Sequence, residues 1–151
     1  YGRSGQNLAR LLEKEHMPYM ALDLDPDRVR QAAAAGQSVV FGDAARLQSL
    51  MAAGLARASA VVVSYQDTAS ALKILRLVQA HAPKVPVIVR TIDDTEMEKL
   101  RAAGATEVIH ADRVGAAERC PSSVTKLVAG WSQAGAGGRS QEQSSRKLGP
   151  C

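Results

Sequence analysis

Short apolar runs alternate along the chain with longer amphipathic stretches. Tyr19–Leu24, Ser38–Phe41, Ala60–Ser64, Pro86–Arg90 and Glu107–His110 are four to six residues long and mostly rich in Val and Ile. Runs of this kind predict strands buried on both faces, as in a parallel sheet. Between them the apolar positions recur with helical spacing. Ser4–His16 places Leu8, Leu11 and Leu12 on one face. Asp25-Pro26 reads as an N-cap followed by proline at the first helical position, and Gly36 as the glycine that ends that helix. Asp43–Ala53, Asp67–His81 and Asp94–Ala103 repeat the plan, the last two stopped by Pro83 and Gly104. Strand alternating with helix predicts parallel βαβ units with right-handed crossovers.

That order predicts an α/β fold: three layers, with a Rossmann-like, doubly wound parallel sheet in the middle. Such a sheet has its central strand immediately before the first turn. Here the chain opens on Tyr1 and passes directly through Gly2-Arg3-Ser4-Gly5 into a helix. The expectation is therefore a fragment, or a fold whose first strand is missing or truncated. Two regions are expected: a nucleotide-binding domain over 1–112 and a tail over 113–151. In the tail, Pro121-Ser122-Ser123 interrupts a partly helical stretch, and the Gly/Ser/Gln-rich Gly135–Cys151 is expected to be disordered.

Composition narrows the class. Of 151 residues, 46% are apolar but only 3% aromatic, so the core is expected to be aliphatic. No apolar run is long enough for a membrane span, and no secretory leader pattern is present. Cys120 and Cys151 form neither a disulfide framework nor a cysteine-based zinc site, which fits a reducing compartment. Residues 1–112 carry 13 basic and 13 acidic side chains, whereas 113–151 carry 6 and 2. The net +4 charge thus belongs to the tail. With no basic face interleaved with aromatics, a nucleic-acid partner is not expected.

The chemical signal begins at the first turn. Gly2-Arg3-Ser4-Gly5 corresponds to the latter part of a G-x-G-x-x-G turn. There Gly2 would let the backbone approach a pyrophosphate, and Gly5 would let the helix pack on the sheet. Amides at the helix N-terminus would then face the anion. By itself the tetrapeptide is more often only a tight turn. Asp23 adds context: it ends a strand eighteen residues after Gly5, near the spacing of a ribose-binding acid. A carboxylate there would accept from ribose hydroxyls and repel a 2′-phosphate, favouring NAD over NADP. The alternative is a solvated acid or a helix cap, a role for which Asp25 is better placed.

Gly42-Asp43-Ala44 follows the next strand. Asp43 is a candidate acceptor for an exocyclic amine, although on the tripeptide alone a helix cap is the preferred reading. Ser64 and Arg90 end later strands and are candidates for the same crevice, with a solvated cap an equal alternative for Arg90. His16, His81 and His110 are scattered without partners at ligand spacing, so no metal site is expected. No nucleophile elbow, Cys–His pair or Tyr-x-x-x-Lys is present. A dinucleotide site without catalytic machinery implies a sensor rather than an enzyme.

The segments GRSGQNLARLL, ALDLDPDRV, VVFGDAA, ASAVVVS, VPVIVRT and LRAAGATEVIHAD, in this order, resemble the TrkA-N, or RCK N-terminal, nucleotide-binding domain. The likeness is greatest to the cytoplasmic regulatory domain of Kef-type potassium-efflux antiporters, and it covers residues 1–112. The resemblance implies a cytoplasmic domain at the inner face of the membrane that regulates a transporter of potassium or another monovalent cation. It also implies a homodimer and binding of NAD(H) or of AMP, ADP or ATP. Position by position, it implies that Gly2, Arg3 and Gly5 form the diphosphate turn, lined by Ser4 and Gln6. Asp23 would be the ribose acid, Asp43 and Ala44 the adenine-edge residues, and Ser64 and Arg90 crevice residues. Residues 113–151 do not resemble the crossover segment through which the family dimerises. Two other readings stay open: the cofactor half of an NAD-dependent dehydrogenase, and an orphan fragment without a ligand.

Overall fold

A computed structural model describes residues 1–64 and 67–110. The expected tail, 113–151, lies outside them. The described elements run α1 (Arg3–Lys14), β1 (Ala21–Asp23), α2 (Pro26–Ala34), β2 (Val39–Phe41), α3 (Leu47–Ala52), β3 (Val61–Val63), α4 (Thr68–His81), β4 (Val87–Thr91), α5 (Asp94–Ala102) and β5 (Glu107–His110), with a 3-10 turn at Leu55–Arg57.

All strand pairs are parallel. They form two ladders, β1-β2 and β3-β4-β5. β1 and β3 are not paired with each other, and no described strand stands between them.

Alternation along the strands sorts side chains into two apolar layers. Val63, Val87, Val89 and Val108 pack on one face against Ala71, Ile74, Leu75 and Val78 of α4 and Leu100 of α5. On the other face Ile88, with Val62 and Ile109 beside it, meets Leu12 and Leu8 of α1. Ala9, on the same helix, packs with Val39 of β2 and Ala32 of α2. One helix therefore contacts both ladders. Helices cover both faces, giving the three layers of a doubly wound α/β fold.

Local chemistry sets the helix ends. Asp25, Asp67 and Asp93 each accept backbone N–H bonds at the starts of α2, α4 and α5. Gly36, with φ 76°, closes α2, and its neighbour Gln37 donates to Ala32 O at 3.0 Å. α3 departs from expectation. The helix expected over 43–53 begins only at Leu47, because the Asp43 carboxylate accepts the Ala45 N–H at 2.8 Å. The Arg46 N–H donates to the Asp43 carbonyl, also forming a turn rather than a helix.

Candidate nucleotide-binding crevice

α1 starts without a side-chain cap. Gly2 is extended at its N-cap, and the first intrahelical bond runs from Gln6 N–H to Gly2 O at 2.9 Å. The amides of Arg3, Ser4 and Gly5 therefore have no acceptor within the helix and stand at its electropositive end. A Cβ added at Gly5 would lie 3.4 Å from Ser64 Oγ and 3.7 Å from the Tyr1 ring. Gly5 thus marks the close approach of α1 to the end of β3. Gly2 differs: among the described residues, no atom beyond its chain neighbours lies within 4 Å of its Cβ position, and its φ of −74° suits any residue. Nothing among the described residues requires glycine there, and the space beside it is open. Arg3 is exposed and Ser4 half-buried. Gln6 donates from Nε2 to the Tyr1 carbonyl at 3.3 Å.

Asp23 ends β1 with its side chain only 8% exposed. Its Oδ1 accepts the Asp25 N–H at 2.8 Å, and its Oδ2 accepts Arg28 Nη1 at 3.0 Å and the Tyr1 amino group. Burial pushes this carboxyl up, but the donors from Tyr1, Asp25 and Arg28 together outweigh burial. They hold it below the ordinary carboxylate value. Arg28 is held more firmly protonated by its bond to Asp23 and by that residue's charge.

The end of β2 lies beside Asp23. Asp23 is in register with Phe41, and the Gly42 N–H donates to the Asp23 carbonyl at 3.0 Å. One residue further, Asp43 spends Oδ1 on its own turn, while Oδ2 lies 3.5 Å from Arg46 Nε. Ala44 packs against the larger apolar layer. Gly42 is tightly enclosed, since a Cβ there would approach Leu22 Cδ2 at 3.0 Å and Ser49 Cβ at 3.3 Å.

Arg90 is half-buried in β4, which continues to Thr91. It shares the α1-facing side with Ile88 by alternation. The register Val63↔Val89 brings Ser64 and Arg90 to the same carboxyl edge. Arg90 Nε is buried and has no hydrogen-bond partner among the described residues. Buried guanidinium nitrogens are rarely left so. The uncapped helix amides, with open space beside Gly2, are donors suited to an anion.

Through the contacts of Tyr1 and Gly5, the structure brings the turn, Asp23 and Ser64 together, with Arg90 at the adjoining strand end. Asp43 and Ala44 stand beside that corner but are engaged locally. Sequence reasoning missed Arg28; the signal was its i,i+3 spacing from the capping residue Asp25. An open hollow of about 380 Å³, lined by Met20, Leu22, Val40, Phe41, Gln48, Ser49 and Ala52, contains none of the expected site residues. Its lining carries no charge.

The TrkA-N domain model matches residues 1–111. The chain belongs to the TrkA-N domain family. This TrkA-N domain is 46% identical over 109 residues to a protein named "Putative K(+) efflux antiporter KefB" from Alkalimonas amylolytica, covering 72% of this chain and 16% of that protein. It is 36% identical over 107 residues to the glutathione-regulated potassium-efflux system protein KefC of Cronobacter sakazakii, covering 71% and 17%. The chain thus spans about a sixth of the length of these relatives. Among solved structures, the TrkA-N domain of the inner membrane protein ybaL from Escherichia coli superposes with TM-score 0.72 at 25% identity, covering 80% of this chain and 90% of that one. The AMP-bound Kef CTD of Shewanella denitrificans gives 0.68 at 28% identity, covering 90% and 84%. The NAD-bound GsuK channel shares the fold, with TM-score 0.67 at 20% identity, covering 74% and 20%.

Proposed function

We propose that residues 1–112 are a nucleotide-sensing regulatory domain of a Kef-type transporter of potassium or another monovalent cation. The domain performs no chemistry of its own. It works as a homodimer in the cytoplasm, against the inner face of the membrane, joined to the transporter. The observation that carries this reading is the convergence of an uncapped helix N-terminus with two strand ends, those of Asp23 and Ser64. The AMP-bound Kef CTD, at 28% identity, supports an adenine nucleotide as the ligand class.

In this reading the amides of Arg3, Ser4 and Gly5 hold a phosphate, and Gly2 keeps the backbone accessible. Gln6 steadies the turn through Tyr1, and Asp23 accepts from the ribose. Asp43 and Ala44 border the adenine edge, while Ser64 and the unpartnered Arg90 Nε complete the crevice. NAD(H), AMP, ADP and ATP all carry the adenosine phosphate that these positions fit. Binding regulates transport only if the nucleotide has different affinities for two conformations of the assembly.

The test is calorimetric titration of the folded chain with NADH and with AMP. Saturable binding of at least one is expected, with loss of roughly tenfold or more in affinity for Asp23→Ala, the effect of removing a charged hydrogen-bond acceptor. Absence of saturable binding by both nucleotides overturns the reading. Unchanged affinity in Asp23→Ala overturns the ribose assignment.

A further inference from the structure

Resting on the nucleotide reading, we propose that Arg28 is a positioning residue that fixes the Asp23 carboxylate for recognition of the ribose hydroxyls. Its guanidinium bridges two acids: Nη1 lies 3.0 Å from Asp23 Oδ2, and Nη2 lies 3.4 Å from Asp25 Oδ2. Both acids are anchored. Asp23 Oδ1 accepts the Asp25 N–H, and Asp25 Oδ1 accepts the N–H groups of Asp27 at 3.0 Å and Arg28 at 3.2 Å. The Arg28 backbone is therefore held by the same acid that its side chain bridges.

This arrangement determines what Asp23 can offer a ligand. An ionised carboxylate has about four acceptor directions. Two are used here, one on each oxygen, by the Asp25 N–H and Arg28. With a donor on each oxygen, the carboxylate cannot rotate about its last bond without breaking one of them. The remaining acceptor directions are thereby fixed in space, where a ribose hydroxyl can meet them. Without Arg28 the carboxylate loses its side-chain anchor on Oδ2 and is held less firmly, so a ribose hydroxyl gains less over a hydrogen in the same place.

The Arg28 side chain is 41% exposed, so its replacement leaves the apolar layers intact. The experiment compares the affinities of AMP and 2′-deoxy-AMP for the wild-type chain, Arg28→Met, Arg28→Lys and Asp23→Asn. The two ligands carry the same phosphate, so the ratio of their affinities cancels any general effect of removing a positive charge. The wild type is expected to prefer AMP by roughly tenfold, Asp23→Asn to abolish the preference, and Arg28→Met to shrink it by about threefold or more. Arg28→Lys, which can reach one carboxylate, is expected to restore part of it. A ratio in Arg28→Met equal to that of the wild type overturns the inference, as does equal wild-type affinity for the two ligands. Failure of the wild type to bind AMP at all instead overturns the nucleotide reading on which it rests.

Discussion

A carboxylate with only 8% of its side chain exposed is tolerated when donors replace the lost water, and Asp23 has three. They favour the charged form, so its pKa lies below the ordinary Asp value of 3.8. A group whose pKa is lower in the folded than in the unfolded state stabilises the fold fully above the unfolded value. That contribution disappears as pH falls through the folded value. Asp23→Asn should therefore be less stable than the wild type by a constant amount between about pH 5 and 7. The difference should shrink below the ordinary value and approach zero near about pH 2. Urea midpoints of both proteins across this range provide the measurement; a difference independent of pH would show that the Asp23 charge contributes nothing. The sequence placed Asp23 at a strand end because spacing from the glycine turn and the end of an apolar run coincide there. It did not show Arg28 as its partner, since the i,i+3 link to Asp25 has no visible target until the strand end is folded beside the helix start. Asp43 was legible as a local capping acid, but not as the residue that delays α3, because Ala44, Ala45 and Arg46 would themselves suit a helix.

The helices show how much of an element's boundary is local chemistry. The starts at Asp25 and Asp67 and the stops at Gly36 and Gly104 were readable because each depends on one side chain or one backbone freedom, whereas the last helix, expected to open on Asp94, is capped one residue earlier by Asp93. α1 ends by the same hydrogen-bond pattern as α2: His16 N–H reaches Glu13 O and Met17 N–H reaches Leu12 O, at 3.0 and 2.8 Å. Yet the residue in the left-handed position is His16, with φ 55°, rather than glycine. Nothing in the sequence distinguishes this histidine from one that simply ends a helix. The left-handed conformation costs a residue with a Cβ about 1–2 kcal/mol, while glycine gives up roughly 0.5–1 kcal/mol through its greater unfolded-state freedom. His16→Gly should consequently stabilise the chain by about 0.5 kcal/mol. Gly36→Ala, at a site with open space around its Cβ position, should destabilise it by a similar or somewhat larger amount through backbone strain alone. Urea denaturation of the two variants beside the wild type checks both signs. Loss of stability in His16→Gly would mean that the imidazole itself stabilises the turn.

At the scale of the whole molecule, the order of strands and helices was legible because buried parallel strands demand unbroken Val/Ile runs. Their division into two ladders depends on pairing, which no local pattern encodes. The ladders differ in burial. β4 has Val87, Ile88 and Val89 at 2%, 1% and 1% exposure, whereas in β2 Val40 and Phe41 are 39% and 62% exposed. The β1–β2 ladder takes cover from α1 and α2 and, through Leu22, from the larger layer, and α1 joins it to that layer through Ala9 on one side and Leu12 on the other. Leu12 is 8% exposed and packs on Ile88, so Leu12→Ala should cost about 3 kcal/mol in lost contacts and cavity formation. The loss should not spread evenly. Local opening draws on the regions with least buried apolar surface, so once α1 grips β4 less firmly, β1 and β2 should open first. Amide exchange in Leu12→Ala should accelerate more at Leu22 and Val40 than at Ile88 and Val89. The same loosening should weaken AMP binding, because Arg3–Gly5 on α1 and Asp23 on β1 would no longer be held against Ser64. Equal acceleration in both ladders would show that α1 does not act as the joint between them, and that the crevice is kept in shape by the strand ends alone.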